Sequence, residues 1–153
     1  MEVRCLEDFK SEFEKLVSKS TYKNITKCVI EAFFDKTPEQ LCTGTRLNGS
    51  AEVPYIKKRL CGRGGYRVYC LLVIKDNAVY LMFVHPKSGS LGSSNITDDF
   101  KAAIFKKVYE CIREGNHYIV TYTEDKKQLI FTLNHKESGN LPTIPYTSVD
   151  IKE

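Results

Sequence analysis

No stretch of this chain is apolar for anything near the ~20 residues that a bilayer crossing requires; the longest apolar runs, near Leu71 and Leu81, fall far short of it. The opening MEVRCLEDFK has no apolar run behind a basic flank, so the chain is expected to lack a secretory signal and to stay in the cytoplasm, away from membranes. There is no CxxC pair and no Cys/His cluster at zinc spacing among Cys5, Cys28, Cys42, Cys61, Cys70 and Cys111. Reduced thiols are therefore expected, with Cys28, Cys70 and Cys111 serving as small hydrophobes on apolar faces. A Gly-x-Ser-x-Gly elbow, a nucleotide fingerprint and a kinase-like set are missing too. Gly62, Gly64 and Gly65 lack the spacing and the trailing Lys-Ser/Thr of a phosphate loop. His117 and His135, at the two ends of a late hairpin, supply two ligands at most, so neither a metal centre nor a cofactor is expected.

What is present is a globular composition with one uneven feature. The 153 residues are 42% hydrophobic and 27% charged, too balanced for wholesale disorder. A chain of this length forms one domain that buries roughly two thirds of its unfolded surface. The formal charge of +4 is not spread evenly. Tyr55 to Lys87 (YIKKRLCGRGGYRVYCLLVIKDNAVYLMFVHPK) holds seven basic residues against Asp76 alone, and the other 120 residues hold 16 basic against 18 acidic. Positive charge confined to one segment is what an anionic partner selects for, since only the surface that meets phosphates or carboxylates needs it.

Periodicity gives an α+β order. Met1 to Leu6 can form a short strand, and Phe9, Phe13, Leu16 and Val17 then fall at helical spacing. A second helix is expected from Tyr22 to Asp35, capped by Ser20 or Thr21. The two make an N-terminal helical hairpin that packs on a small, mostly antiparallel sheet. Thr37-Pro38-Glu39-Gln40 has a capping threonine, proline at the first helical position and glutamine three residues after the cap, which predicts one short helical turn. Thr43 to Glu52 reads as a loop. Asn95 to Gly115 is the clearest helix, capped by Thr97 and ended by Gly115, with a stripe of Phe100, Ala103, Ile104, Val108, Cys111 and Ile112. Tyr118 to Thr123 and Gln128 to Asn134 alternate around Glu124-Asp125-Lys126-Lys127, which predicts an extra C-terminal β-hairpin. The domain thus runs over 1–115, the added hairpin over 116–137 packs on it, and 138–153, with Pro142 and Pro145, is a mobile or draped tail.

The basic segment itself reads as three strands: Tyr55 to Leu60, Tyr66 to Lys75 and Ala78 to His85, the last two joined by a two-residue turn at Asp76-Asn77. Alternation sends Arg67, Tyr69, Leu71 and Val73 one way and Tyr66, Val68, Cys70, Leu72 and Ile74 the other, with Arg67 at the wet end of its strand. Arg67 and His85 lie almost equally far from the turn, so the two meet at one edge of the sheet, beside Lys87.

Lys57-Lys58-Arg59, Gly64-Gly65-Tyr66-Arg67-Val68, Val79-Tyr80-Leu81-Met82-Phe83-Val84-His85-Pro86-Lys87 and Asn95-Ile96-Thr97, in this order and spacing, resemble the RelE/HigB-type toxins of bacterial type II toxin-antitoxin systems. The likeness covers about residues 1–112. Ser88 to Ser94, reading SGSLGSS, and the hairpin beyond the last helix lie outside the pattern. The resemblance implies a helical hairpin on a mostly antiparallel sheet, an endoribonuclease that cuts mRNA on the ribosome, and a cognate antitoxin as partner. A homodimer is left open.

RNA is cut without metal when its 2′-hydroxyl attacks the adjacent phosphate, which needs a proton acceptor, a proton donor and cations on the developing phosphorane. Arg67 can grip phosphate oxygens bidentately. His85 can act as base or acid near neutral pH, with Lys87 beside it. Lys57, Lys58, Arg59 and Arg63 would track the RNA backbone; four phosphate contacts give a log-log salt slope of about −3 on single strands. Tyr66 can stack on a base, and Tyr69 more naturally packs in the core. The alternative is a non-catalytic module that binds RNA or an antitoxin on the same fold.

Overall fold

The computed structural model describes residues 1–62, 64–89, 92 and 96–134. Arg63, most of the Ser88–Ser94 loop, Asn95, His135 and the 138–153 tail lie outside the described residues, and with them the expectations placed there.

The described residues are α+β, built on one seven-stranded sheet in the order β2-β3-β4-β5-β1-β6-β7. The strands are β1 (Glu2–Cys5), β2 (Thr45–Arg46), β3 (Tyr55–Leu60), β4 (Tyr66–Val73), β5 (Ala78–Pro86), β6 (Tyr118–Tyr122) and β7 (Leu129–Leu133). All neighbouring pairs are antiparallel except β1 with β5, which run parallel from Glu2↔Ala78 to Cys5↔Leu81. The helices are α1 (Glu7–Val17), α2 (Ile25–Phe33), α3 (Pro38–Leu41) and α4 (Asp98–Glu114). No helix among the described residues is long and apolar enough to cross a membrane.

The sheet is larger than the small one expected. The late hairpin is not an appendage, because β6 pairs with β1 through Arg4↔Ile119 and Cys5↔Tyr118 and so extends the main sheet. The expected loop over Thr43 to Glu52 contains β2, whose two residues are too few to show a period. β2 pairs with β3 through Thr45↔Lys57 and Arg46↔Ile56. Gly44 leads into it with φ +136, and a Cβ there would sit 2.6 Å from the Lys57 carbonyl oxygen, so only glycine fits this approach.

Each face of the sheet has its own core. Val68, Cys70, Leu72, Val79 and Leu81 pack with Phe9, Phe13, Ile25, Val29 and Phe33 of α1 and α2. Tyr69, Leu71, Val73, Tyr80 and Met82 pack with Ile104, Phe105, Val108 and Ile112 of α4. Every residue of β4 is buried, as expected of a strand covered on both faces. Helix α2 crosses the sheet: a disulfide joins its Cys28 to Cys61 just after β3, and Phe34 at its far end meets Tyr122 of β6 edge-on at 4.9 Å. The bond overturns the expectation of reduced thiols for these two cysteines; Cys5, Cys42, Cys70 and Cys111 are free.

Local signals place the start of α3 and both ends of α4. Thr37 and Gln40 form the expected capping box, and Thr97 Oγ1 accepts from the Phe100 amide at 3.1 Å. Gly115 ends α4 at φ +69. Ser20–Tyr22, however, is a separate 3₁₀ turn, and α2 starts only at Ile25. Asn24 holds the cap position but makes no cap bond, because its Oδ1 takes the Tyr66 hydroxyl at 2.6 Å instead. In α4 the buried stripe is Lys101, Ile104, Phe105, Val108, Tyr109 and Ile112, rotated from the expected one, and Phe100 is 36% exposed.

Candidate nucleic-acid interface

The β4–β5 hairpin turns over four residues rather than two. Val73 pairs with Ala78, Ile74–Asp76 forms a 3₁₀ turn, and Asn77 takes the left-handed conformation at φ 51, ψ 45. A register shift follows: Cys70 faces Leu81 but Tyr69 faces Phe83, so Met82 has no partner in the ladder. This is a β-bulge. Val79 and Leu81 face the α1/α2 core, whereas Tyr80, Met82 and Phe83 face the α4 core. The bulge reverses the alternation of β5 beyond it and puts His85 on the α4 side, directly opposite Arg67.

Arg59 faces Arg67 on the other flank, so Arg59, Arg67 and His85 form one row across three neighbouring strands. The next row is Lys57, Tyr69 and Phe83. Lys87 continues beyond His85, its amide donating to the Gly65 carbonyl at 2.9 Å. Like charges directly opposite one another destabilise a sheet. Arg59 and Lys87 are exposed and make no ion pair among the described residues. Partial loss of hydration, then the charges of Arg67, Arg59 and Lys57, push the Lys87 ammonium toward easier deprotonation. A groove of about 350 Å³ lined by Thr43, Gly44, Thr45, Lys57, Lys58 and Arg59 opens at the β2–β3 edge beside these cations.

Arg67 is 4% exposed and His85 5%, and Lys57 is buried with them, so Arg67 is not at a wet end. The reason is that β4 is central in the sheet and α4 closes this side: Phe100 packs edge-on against Phe83 at 4.9 Å, and the Tyr55 hydroxyl donates to the Lys101 carbonyl at 3.0 Å. His85 lies nearly parallel to Tyr69, ring centres 6.1 Å apart. Its Nδ1 is 3.2 Å from the Pro86 carbonyl oxygen, an arrangement satisfied when Nδ1 carries the proton. Nε2 is then a lone pair, buried and without a hydrogen-bond partner among the described residues. Burial lowers the His85 pKa; the Pro86 carbonyl opposes this, and the charges of Arg67, Lys87 and Lys57 add to it. His85 is therefore neutral at pH 7, the form a proton acceptor needs.

Two expected contributors are on the opposite face. Lys58 turns toward α3, where its Nζ donates to Gln40 O at 3.0 Å, Thr43 O at 3.0 Å and Thr43 Oγ1 at 2.7 Å, and burial lowers its pKa. It caps carbonyls at the end of α3 rather than reaching for phosphate. Tyr66 is 3% exposed, packed edge-on against Tyr22 at 6.2 Å and bonded to Asn24, so its ring has no face open for a base. Arg63 lies outside the described residues. Lys101 was missed altogether: it is fully buried in the first turn of α4, with Nζ 3.4 Å from Asp98 Oδ1. The helical period does place it on the buried face, three residues before Ile104 and seven before Val108, but a lysine does not count toward an apolar stripe.

Fold and site together define an α+β protein with a cationic row on the α4 side of its sheet. Among the described residues no three His, Cys, Asp or Glu side chains come together to hold a metal ion. No protein-family model, curated protein or solved structure matches the chain.

Proposed function

We propose that this protein is an endoribonuclease of the RelE/HigB toxin kind, cleaving mRNA on the ribosome without metal and held in check by a cognate antitoxin. The observation that carries this reading is the cross-strand row of Arg59, Arg67 and His85, with Lys87 next along β5. The helical pair α1 and α2 against one face of a mostly antiparallel sheet is the layout that the resemblance leads one to expect.

In this mechanism His85 Nε2 takes the proton of a 2′-hydroxyl as its oxygen attacks the adjacent phosphorus. Arg67, buried in the sheet, and Arg59, exposed at its edge, neutralise the charge that develops on the phosphorane oxygens. The Lys87 ammonium, whose pKa is lowered by partial loss of hydration and then by its cationic neighbours, gives a proton to the departing 5′-oxygen. The products carry a 2′,3′-cyclic phosphate and a 5′-hydroxyl. Lys57 supports the charge of the site, and the partner that inhibits it covers the same cations.

The test is cleavage of mRNA with purified ribosomes in the presence of a chelator, with the 3′ and 5′ ends of the fragments analysed. The reading requires cyclic-phosphate products and a rate loss of about 100-fold or more in His85→Ala and in Arg67→Ala. Expression in growing bacteria should arrest growth for the wild type and not for the double variant.

The 4% and 5% exposures of Arg67 and His85 favour a second reading, a non-catalytic RNA-binding module. On that reading single-stranded RNA binds through the exposed Arg59 and Lys87 and stays intact in every condition, ribosomes included.

A further inference from the structure

The Cys28–Cys61 disulfide sits where the basic face is assembled. Cys61 is the first residue after β3, and the pair Leu60↔Tyr66 closes the β3–β4 hairpin, so the bond fixes the hairpin tip to α2. On its other side the tip holds the end of β5: the Gly65 carbonyl accepts the Lys87 amide at 2.9 Å, and Ser88 Oγ donates to the Gly64 carbonyl at 3.3 Å. One covalent bond and two hydrogen bonds thus join α2, the tip and the segment that carries His85 and Lys87.

The two cysteines have unlike surroundings. Cys28 is 2% exposed on the buried side of α2, whereas Cys61 is an exposed residue in the left-handed conformation, φ 60. Four further cysteines remain free thiols, Cys42 and Cys111 among them only half-buried. A chain that keeps four thiols beside one bond with an exposed end differs from the disulfide framework of a secreted scaffold, in which the cysteines pair throughout.

We infer that Cys61 is a redox site open to dithiol reductants and that the Cys28–Cys61 bond is a clamp controlling the basic face; its effect on RNA rests on the function proposed above. A reductant thiolate attacks Cys61 Sγ, expelling the Cys28 thiolate, which takes up a proton. The second thiol of the reductant then displaces Cys61 from the mixed disulfide. Two electrons and two protons pass to the protein, and the reductant leaves as a cyclic disulfide. With the clamp open the tip keeps its hydrogen bonds to β5 and the Tyr66–Asn24 bond at the start of α2 but loses its covalent tie to that helix, and the Arg59–Arg67–His85 row loses its fixed end.

The experiment treats the full chain under native conditions with dithiothreitol, blocks thiols with iodoacetamide after denaturation, and counts adducts by mass. The expected result is four adducts before treatment and six after, from the six cysteines of the chain. Amide hydrogen exchange over 60–66 should quicken on reduction. Affinity for a single-stranded RNA oligonucleotide should fall by roughly fivefold or more and return on reoxidation. The Cys28→Ser/Cys61→Ser variant should behave as the reduced protein and ignore dithiothreitol; should it not fold, reduction and reoxidation of the wild type make the same comparison. Four adducts persisting after native treatment would overturn the redox site. Six adducts with unchanged exchange and unchanged affinity would overturn the clamp. Thiol-dependent exchange without RNA binding in either state would leave the clamp standing and refute the RNA reading of the face.

Discussion

Lys57, Lys58 and Arg59 of β3 and Lys87 just past β5, which look alike in the sequence, should behave differently toward RNA. Lys58 spends its ammonium on three oxygens at the end of α3, on the face opposite the Arg67 row, whereas Arg59 and Lys87 are exposed on the row's side with no ion pair among the described residues. Lys57 is in the same alternation as Arg59 but buried. Each phosphate contact on a single strand contributes ~0.7 to the log-log salt slope. Arg59→Ala and Lys87→Ala should each make the slope shallower by about 0.7. Combined, they should shrink the affinity lost between ~50 and ~200 mM salt by about sevenfold. Lys58→Ala should leave the slope where it was and instead lower stability by roughly 1 to 2 kcal/mol, the cost of charge-assisted hydrogen bonds to carbonyls. Fluorescence anisotropy of a labelled single-stranded RNA across the salt series, with urea denaturation of each variant, separates the two effects. A slope change of ~0.7 for Lys58→Ala and none for Arg59→Ala would refute the assignment of faces on which the interface rests.

Two further outcomes concern stability. His117 is 2% exposed, and burial, then the Arg4 guanidinium whose Nη1 lies 3.0 Å from its Nε2, hold its pKa down to about 4 against the opposing pull of the Cys111 carbonyl and Glu2. The unfolded chain takes up this proton near pH ~6.5 while the folded one refuses it until about 4, so the stabilisation is complete above ~6.5 and is lost on acidification across that window, roughly 3 kcal/mol in all. Urea titrations of wild type and His117→Gln over this range should diverge in that direction; parallel curves would show that His117 does not report it. Thr97→Ala removes the 3.1 Å bond to the Phe100 amide and should cost ~1 kcal/mol in the same assay, with Thr97→Ser recovering most of the loss.

Whatever was governed by neighbours in the sequence was legible. The capping box of α3 and the two ends of α4 follow from residues within four positions of each other, and β3 has the bounds that its pattern predicts. The start of α2 was not legible because Tyr66, 42 residues away, draws off the Asn24 side chain that would have capped it. Nothing local signals that β1 runs parallel to β5 or that β6 docks on β1. The α4 stripe was misplaced because a lysine, Lys101, occupies the buried position that Phe100 was expected to hold. The site was half legible. Period-two alternation already puts Lys58 on the other side of the sheet from Lys57 and Arg59, and Tyr66 on the other side from Arg67; grouping residues by charge and aromaticity alone obscured this. The meeting of Arg67 and His85 emerged for a different reason from the one argued: the turn is two residues longer than supposed, and the bulge restores one of them.

That bulge bears on how the protein can change by inheritance. Met82 is a residue in reserve on β5, opposite no partner in β4. A one-codon deletion that removes it leaves Tyr69 facing Phe83 and Arg67 facing His85, with the histidine still on the α4 side. A one-codon insertion in the same strand has no such buffer, because a ladder already holding one unmatched residue must take a second or slip. Lineages of this protein should therefore tolerate shortening of β5 at this point and resist its lengthening, an asymmetry set by strand arithmetic rather than by the chemistry of any side chain.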